Sequence, residues 1–138
     1  PIRHDHYGMP DAPRFPHRWR TPGGNDIVEF PLSTLPVLGW RVPVAGGGYF
    51  RLAPYALTRR AVTHLNRRER QPAIAYLHPW EFDPGQPALP VGRLTRLRHS
   101  VNVGRTEGKL QRLLADFAFA PVGQVLAEAG LLESWSAR

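Results

Sequence analysis

Cysteine is absent from the 138-residue chain, which excludes disulfide bonds and thiolate metal sites. The absence fits a cytoplasmic and a periplasmic location equally, so the compartment stays open. No run of about 18 apolar residues occurs, and the sequence therefore predicts no membrane-spanning helix. Lysine is nearly absent as well, because Lys109 is the one lysine among 18 Lys and Arg residues.

Acidic residues are also in the minority, which gives the chain a formal net charge of +7. A basic balance is typical of proteins that bind nucleic acid, an anionic surface or an anionic glycan. Here the arginines are scattered, and no stripe of them alternates with aromatic residues that could stack on bases. This pattern favours solvated helix faces and predicts no nucleic-acid partner.

Proline and glycine are abundant, with 15 and 13 residues, and they concentrate in the N-terminal third and in 79–92. Both residues favour loops, and 1–26 is predicted to be irregular. The length is that of one domain. Because the chain begins with Pro1 and not with methionine, we expect 1–138 to be a single domain or a fragment of a longer protein.

Helical periodicity is clear in two segments. Residues 54–68 place Leu57, Ala61, Val62 and Leu65 on one face, and 106–117 repeat such a stripe after Thr106, a potential N-cap. A short terminal helix is predicted over 123–131.

Strand signals are weaker and shorter. Residues 73–77 form an apolar run between Pro72 and Pro79, which indicates a buried strand. Residues 27–31 and 119–122 are further strand candidates, and 35–44 are predicted to be a loop with a possible short strand. A helix followed by a buried strand is the unit of a parallel sheet, so we predict an α/β fold with the strand ending at Leu77 in its centre.

The sharpest chemical signal is the run from Tyr76 to Glu81. It places His78 at the carboxyl end of the predicted buried strand, the edge at which parallel α/β folds build active sites. Histidine exchanges protons near neutral pH, Glu81 is near enough in sequence to orient the imidazole, and Trp80 offers a face for a sugar. The alternative is a histidine that bonds a loop carbonyl, with Trp80 in the core.

The triple glycine Gly46-Gly47-Gly48 lacks the lysine and the Ser/Thr of a phosphate-binding loop. It favours close approach of the backbone to a ligand or to a packed strand, near which Tyr49 and Arg51 would project. A simple turn is the alternative.

His4, Asp5 and His6 are residue types that bind metals. Their spacing in a polar segment is a weak signal, since such histidines are usually solvated or bonded to loops.

Four segments carry a resemblance to a known family. They are PIRHDHYGMPDAPRFPHR, IVEFPLSTLPVLGWRVPVAGGGYFRLAPY, AIAYLHPWEFDPGQP and RHSVNVGRTEGKLQRLLADFAF. In this order they resemble the C-terminal region, DUF3473, of bacterial polysaccharide deacetylases associated with PEP-CTERM/exosortase exopolysaccharide gene clusters. The resemblance covers nearly the whole chain, and that family is similar to the NodB-like deacetylases, carbohydrate esterase family four.

The resemblance implies the C-terminal part of a distorted (β/α) barrel that removes acetyl groups from an N-acetylated polysaccharide. In that family a divalent metal, usually zinc, is held by one Asp and two His of N-terminal motifs. This chain lacks those motifs, so the resemblance implies no metal ligands here. It also implies that the N-terminal half of the catalytic domain is the partner and that the fragment is inactive alone.

The family's Leu-x-His motif is matched by Tyr76-Leu77-His78. The resemblance thereby gives His78 the role of the catalytic acid, and Tyr76 stands where the family has leucine. Tyr76, Trp80, Tyr49 and Arg51 are the expected substrate-binding residues. In the similar deacetylases a further N-terminal Asp acts as the base, and Arg51 is a candidate for the arginine that orients it. A non-catalytic module that binds glycan or packs on another protein is the alternative.

Overall fold

The structure is a computed structural model that describes residues 9, 11–87, 90, 92 and 99–133. Its strands are β1 His17–Arg20, β2 Asp26–Glu29, β3 Thr34–Val37 and β4 Trp40–Pro43. Its main helices are α1 Gly47–Leu52, α2 Tyr55–Arg67, a 3-10 helix Pro79–Phe82, α3 Val103–Asp116 and α4 Val122–Glu128. The predicted mixture of helices and strands is confirmed, and no closed barrel is formed by the described residues.

The strands form two separate antiparallel hairpins, β1–β2 and β3–β4. The prediction that 1–26 is wholly irregular is wrong, because β1 pairs with β2 in the register His17↔Glu29. The prediction of a loop with a short strand over 35–44 is right in part, because the segment forms the two short strands of the β3–β4 hairpin. The chain turns at Leu38 and Gly39, both with positive φ, and this geometry suits the twist of a two-residue hairpin. Pro36 is tolerated because β3 is in a two-stranded sheet and has an unpaired edge.

The predicted central strand over 73–77 is wrong. Within the described residues this segment makes one isolated parallel bridge, Gly46↔Tyr76. The Tyr76 N–H donates to the Ala45 carbonyl at 3.0 Å, and the Gly47 N–H donates to the Tyr76 carbonyl at 2.8 Å. The ladder goes no further because the neighbouring chain enters α1 at Gly47, where φ is +50°.

Helix α2 confirms the prediction for 54–68. Its buried residues are Thr58, Ala61, Val62 and Leu65, at the spacing of one helix face. Leu57 was predicted on that face but is exposed, and Thr58 takes its place.

Helix α3 confirms the prediction for 106–117, although it begins earlier, at Val103. Thr106 is therefore inside the helix and is not its N-cap. Its buried hydroxyl donates to the Asn102 carbonyl at 3.1 Å, a bond typical of threonine within a helix. Helix α4 confirms the terminal helix, but the strand predicted over 119–122 is wrong, because α4 begins at Val122.

The core joins the start of α1 to helices α2 and α3. Ala45, Phe50, Val62 and Leu113 are buried together. Within the described part of the chain, no helix has the length and apolar character needed to cross a membrane.

Lys109 on α3 fixes the C-terminal end of α1. Its ammonium group donates to the carbonyls of Phe50, Arg51 and Ala53, at 3.3, 2.7 and 2.7 Å. These carbonyls lack partners inside so short a helix, and a cation at that end also meets the negative end of the helix dipole. Burial, together with the nearby Arg105, lowers the pKa of Lys109. These hydrogen bonds fix the backbone of Arg51, a residue of the site described below.

The close approach of Gly46 to Tyr76 predicts a steric cost. A Cβ at Gly46 would lie 2.9 Å from the Tyr76 carbonyl oxygen and 3.1 Å from the Tyr76 Cβ. We expect Gly46→Ala to lower the free energy of unfolding by about 1–3 kcal/mol, as overpacking does. Chemical denaturation measures this change in the free energy of unfolding. Gly48→Ala is the matched control, since Gly48 lies within α1 and has nothing within 4 Å, so alanine there should be neutral or stabilising. Equal stability of the two variants would contradict the prediction.

Candidate functional site

The candidate site begins where the chain turns from Tyr76 into the 3-10 helix. Pro79 occupies the first helical position, where its fixed φ and missing N–H suit a helix start. The Glu81 N–H donates to the His78 carbonyl at 3.0 Å, and this turn brings the Glu81 side chain back to His78. The short run His-Pro-Trp-Glu therefore builds its own local pair of histidine and carboxylate.

Glu81 is the buried centre of this site, with a relative exposure of 0%. Its Oε2 accepts the backbone N–H of His78 at 3.0 Å and lies 3.6 Å from the imidazole Nδ1. Its Oε1 lies 3.9 Å from the Arg51 guanidinium, which is 4% exposed. Buried carboxylates are usually paired with a cation, and Arg51 is the cation here. The predicted closeness of Glu81 to the imidazole is confirmed.

The two imidazole nitrogens of His78 face different partners. Nδ1 faces the Glu81 carboxylate, which accepts hydrogen bonds and donates none when ionised. Nε2 lies 2.6 Å from the Tyr76 hydroxyl. When the imidazole is neutral, these partners favour the tautomer with its proton on Nδ1, in which the Tyr76 hydroxyl donates to Nε2. Tyr76 thus stands between His78 and the solvent on that side.

Trp80 packs against the other face of the site. Its ring stacks on His78 with centroids 5.7 Å apart and an interplanar angle of 26°. The Arg51 Cζ lies 5.0 Å from the Trp80 centroid, and His99 lies 5.4 Å away. Trp80 is half-buried. Its ring packs His78, Arg51 and His99 into one cluster around Glu81.

A groove of about 160 Å³ opens beside Tyr76. It is lined by Tyr49, Tyr76 and the triple glycine, together with Leu32, Ser33, Pro43, Ala45 and Ile74. The interpretation of the triple glycine as a close approach to a packed segment is confirmed by the bridge from Gly46 to Tyr76.

The structure therefore divides the predicted site residues into two groups. Tyr49 and Tyr76 share the groove. Arg51, His78 and Trp80 share the cluster around Glu81, and Tyr76 belongs to both groups because its hydroxyl contacts His78. Arg51 was expected to bind substrate, but it lies buried beneath Trp80.

Ser33 is a contributor that the sequence did not indicate. Its hydroxyl oxygen accepts the Ile74 N–H at 2.8 Å and so fixes the segment that carries Tyr76 and His78. The two residues are 41 positions apart in the chain, and no local pattern links them.

The described residues do not fit the zinc ion that the resemblance implies for the whole enzyme. Among them, no three His, Cys, Asp or Glu side chains lie close enough together to hold a metal ion. His4, Asp5 and His6 lie outside the described residues.

Comparison with known proteins gives one match. The family model described as "Domain of unknown function (DUF3473)" matches residues 1–127. No curated protein and no solved structure matches the chain.

Proposed function

The chain belongs to the DUF3473 family, and we propose that it is the C-terminal portion of a polysaccharide deacetylase, which hydrolyses N-acetyl groups of an exopolysaccharide. In this proposal the chain supplies the proton that the departing amine needs, through His78, and is inactive alone. One observation carries the proposal: His78 has a buried carboxylate behind Nδ1 and a hydroxyl on Nε2.

This arrangement suits general acid catalysis. An amide nitrogen leaves poorly unless it is protonated, and a positioned imidazole can supply the proton at neutral pH. The Glu81 carboxylate lies 3.6 Å from Nδ1, and the backbone N–H of His78 donates to the same carboxylate and keeps it beside the ring. The His78 side chain is 38% exposed, so water can return the proton after each turnover.

Unpaired backbone groups next to His78 support the proposal that the active enzyme is longer than this chain. The N–H groups of Ile74 and Tyr76 bond to Ser33 and Ala45 on one edge of the segment. The N–H groups of Ala75 and Leu77 alternate to the opposite edge, where the described residues give them no acceptor. An unpaired edge of this kind can accept a further strand. We propose that the N-terminal half of the same catalytic domain supplies it.

The test is acetate release by the full-length protein from an N-acetylated glycan. We expect acetate to appear with the N-acetylated polymer and not with the same polymer after chemical N-deacetylation. Acetate can be measured with a coupled enzymatic assay, and the free amines formed on the polymer should equal it in amount. Unequal amounts, or no acetate, would contradict the proposal.

A second candidate function, a glycan-binding module without catalysis, is favoured by the groove between Tyr49 and Tyr76. Aromatic side chains bind the apolar faces of sugars. Glycan binding without acetate release would support this candidate and contradict the deacetylase.

A further inference from the structure

We propose that Tyr76 is the residue that hands the proton to the bound ligand, and that the groove beside it takes an uncharged N-acetylated sugar ring. His78 then acts from behind the tyrosine and does not touch the ligand in the groove. This inference rests on the proposed deacetylase function and assigns its proton donor and its ligand groove.

The first argument for Tyr76 as the donor is the position of the groove. Tyr76 lines it, and His78 does not. Tyr76 is 45% exposed, and its hydroxyl lies 2.6 Å from the imidazole Nε2. Of the two residues, Tyr76 is therefore the one that a ligand in the groove contacts.

The backbone of Tyr76 is fixed from both sides, and its ring packs edge-on against the His78 imidazole with centroids 4.6 Å apart. Its N–H bonds to Ala45, its carbonyl accepts from Gly47, and Gly46 packs against its Cβ. A donor held in position before the ligand arrives loses little entropy when it acts.

The lining of the groove indicates the class of ligand. Its lining residues in the described part of the chain are all uncharged: Leu32, Ser33, Pro43, Ala45, Gly46, Gly47, Gly48, Tyr49, Ile74 and Tyr76. Two tyrosines suit the C–H face of a sugar, and the glycine backbone permits close approach. An anionic sugar would meet no cation among these described lining residues, so the neutral N-acetylated sugar fits the groove better.

The proton moves in two linked transfers. With His78 as imidazolium, the Nε2–H bond breaks and the proton goes to the Tyr76 oxygen, while the Tyr76 O–H proton goes to the leaving nitrogen. The C–N bond of the tetrahedral intermediate breaks at the same time. Its electron pair stays on nitrogen, and the oxyanion re-forms the carbonyl of acetate. His78 ends neutral with Nδ1–H facing Glu81, and a proton from water restores the imidazolium.

The test compares two tyrosine variants of the full-length protein on the N-acetylated glycan. Tyr76→Phe keeps the aromatic wall and removes the proton, so kcat should fall by about 10²-fold while KM stays unchanged. Tyr49→Ala removes a wall without touching the donor, so KM should rise while kcat is kept. A Tyr76→Phe variant with wild-type kcat, in a protein whose acetate release needs His78, overturns this inference and leaves the deacetylase standing.

Nitrogen-15 NMR of the imidazole provides a readout that does not depend on activity. In the unsubstituted full-length protein, neutral His78 should carry its proton on Nδ1 and accept a hydrogen bond at Nε2. In Tyr76→Phe the Nε2 resonance should move toward the position of an unbonded nitrogen. An unchanged resonance would overturn the inference as well, because it would show that the phenol does not contact Nε2. If the unsubstituted protein releases no acetate, the proposed function fails, and the donor role of Tyr76 fails with it.

Discussion

Replacing His78 by alanine should lower kcat of the full-length protein by about 10²-fold or more, the usual contribution of a general acid. The reason is that alanine removes the imidazolium and leaves Tyr76 without the group that replaces its hydroxyl proton. Because the described residues around His78 form no metal site, metal content should stay unchanged. Steady-state kinetics and metal analysis of one preparation measure both quantities.

His64→Ala is the matched control for this experiment. His64 is also a half-exposed histidine next to a carboxylate, Glu69, at 3.2 Å, but it lies on α2 away from the Glu81 cluster. We expect its kcat to equal that of the unsubstituted protein. If His78 were merely structural, His78→Ala would lower the melting temperature, and the folded fraction would turn over normally. Normal turnover by a well-folded His78→Ala protein would remove His78 from the catalytic machinery.

The helices could be predicted from the sequence because their signals are local. In α2 the buried positions repeat every three or four residues, and Pro54 marks the start. The start of α3 is harder to predict, because Thr106 is a residue type that suits an N-cap. In the structure its hydroxyl instead donates to the Asn102 carbonyl, four residues earlier.

The strands could not be predicted in the same way, since pairing depends on what lies opposite. The run 73–77 has the composition of a buried strand, yet within the described chain its one β-bridge is to Gly46, where the backbone turns into a helix. Conversely, β1 lies in a proline-rich segment and forms because β2 pairs with it. Apolar composition predicts burial better than it predicts hydrogen-bond partners.

In the site, too, local contacts could be predicted from the sequence and long-range contacts could not. His78, Trp80 and Glu81 could be brought together from the sequence, because four consecutive residues form one turn of 3-10 helix. The pairing of Arg51 with Glu81 needs the short α1 helix that starts at the triple glycine, and Lys109 from α3 to fix its end. These contacts join segments 30 and more positions apart, a separation that residue spacing does not encode.

Replacing Glu81 by leucine should cost about 3–5 kcal/mol of unfolding free energy, the cost of removing one partner of a buried ion pair. Glu81 is fully buried, and it is the partner of both the Arg51 guanidinium and the His78 N–H. Leucine has similar volume, so the expected loss comes from the charge and the hydrogen bond. Denaturant unfolding, followed by tryptophan fluorescence of Trp80 and the other indoles, measures the change.

The double variant Arg51→Met/Glu81→Leu is the control that separates charge from packing. Replacing both members of a buried pair by apolar residues is often neutral, because neither charge is then left without its partner. We expect the double variant to be more stable than Glu81→Leu alone, and the coupling energy of the double-mutant cycle to favour the pair. If the two changes add, the 3.9 Å contact between Arg51 and Glu81 contributes nothing to stability. In that case the role of Glu81 would be limited to His78, and kcat of Glu81→Gln would be the measurement that shows it.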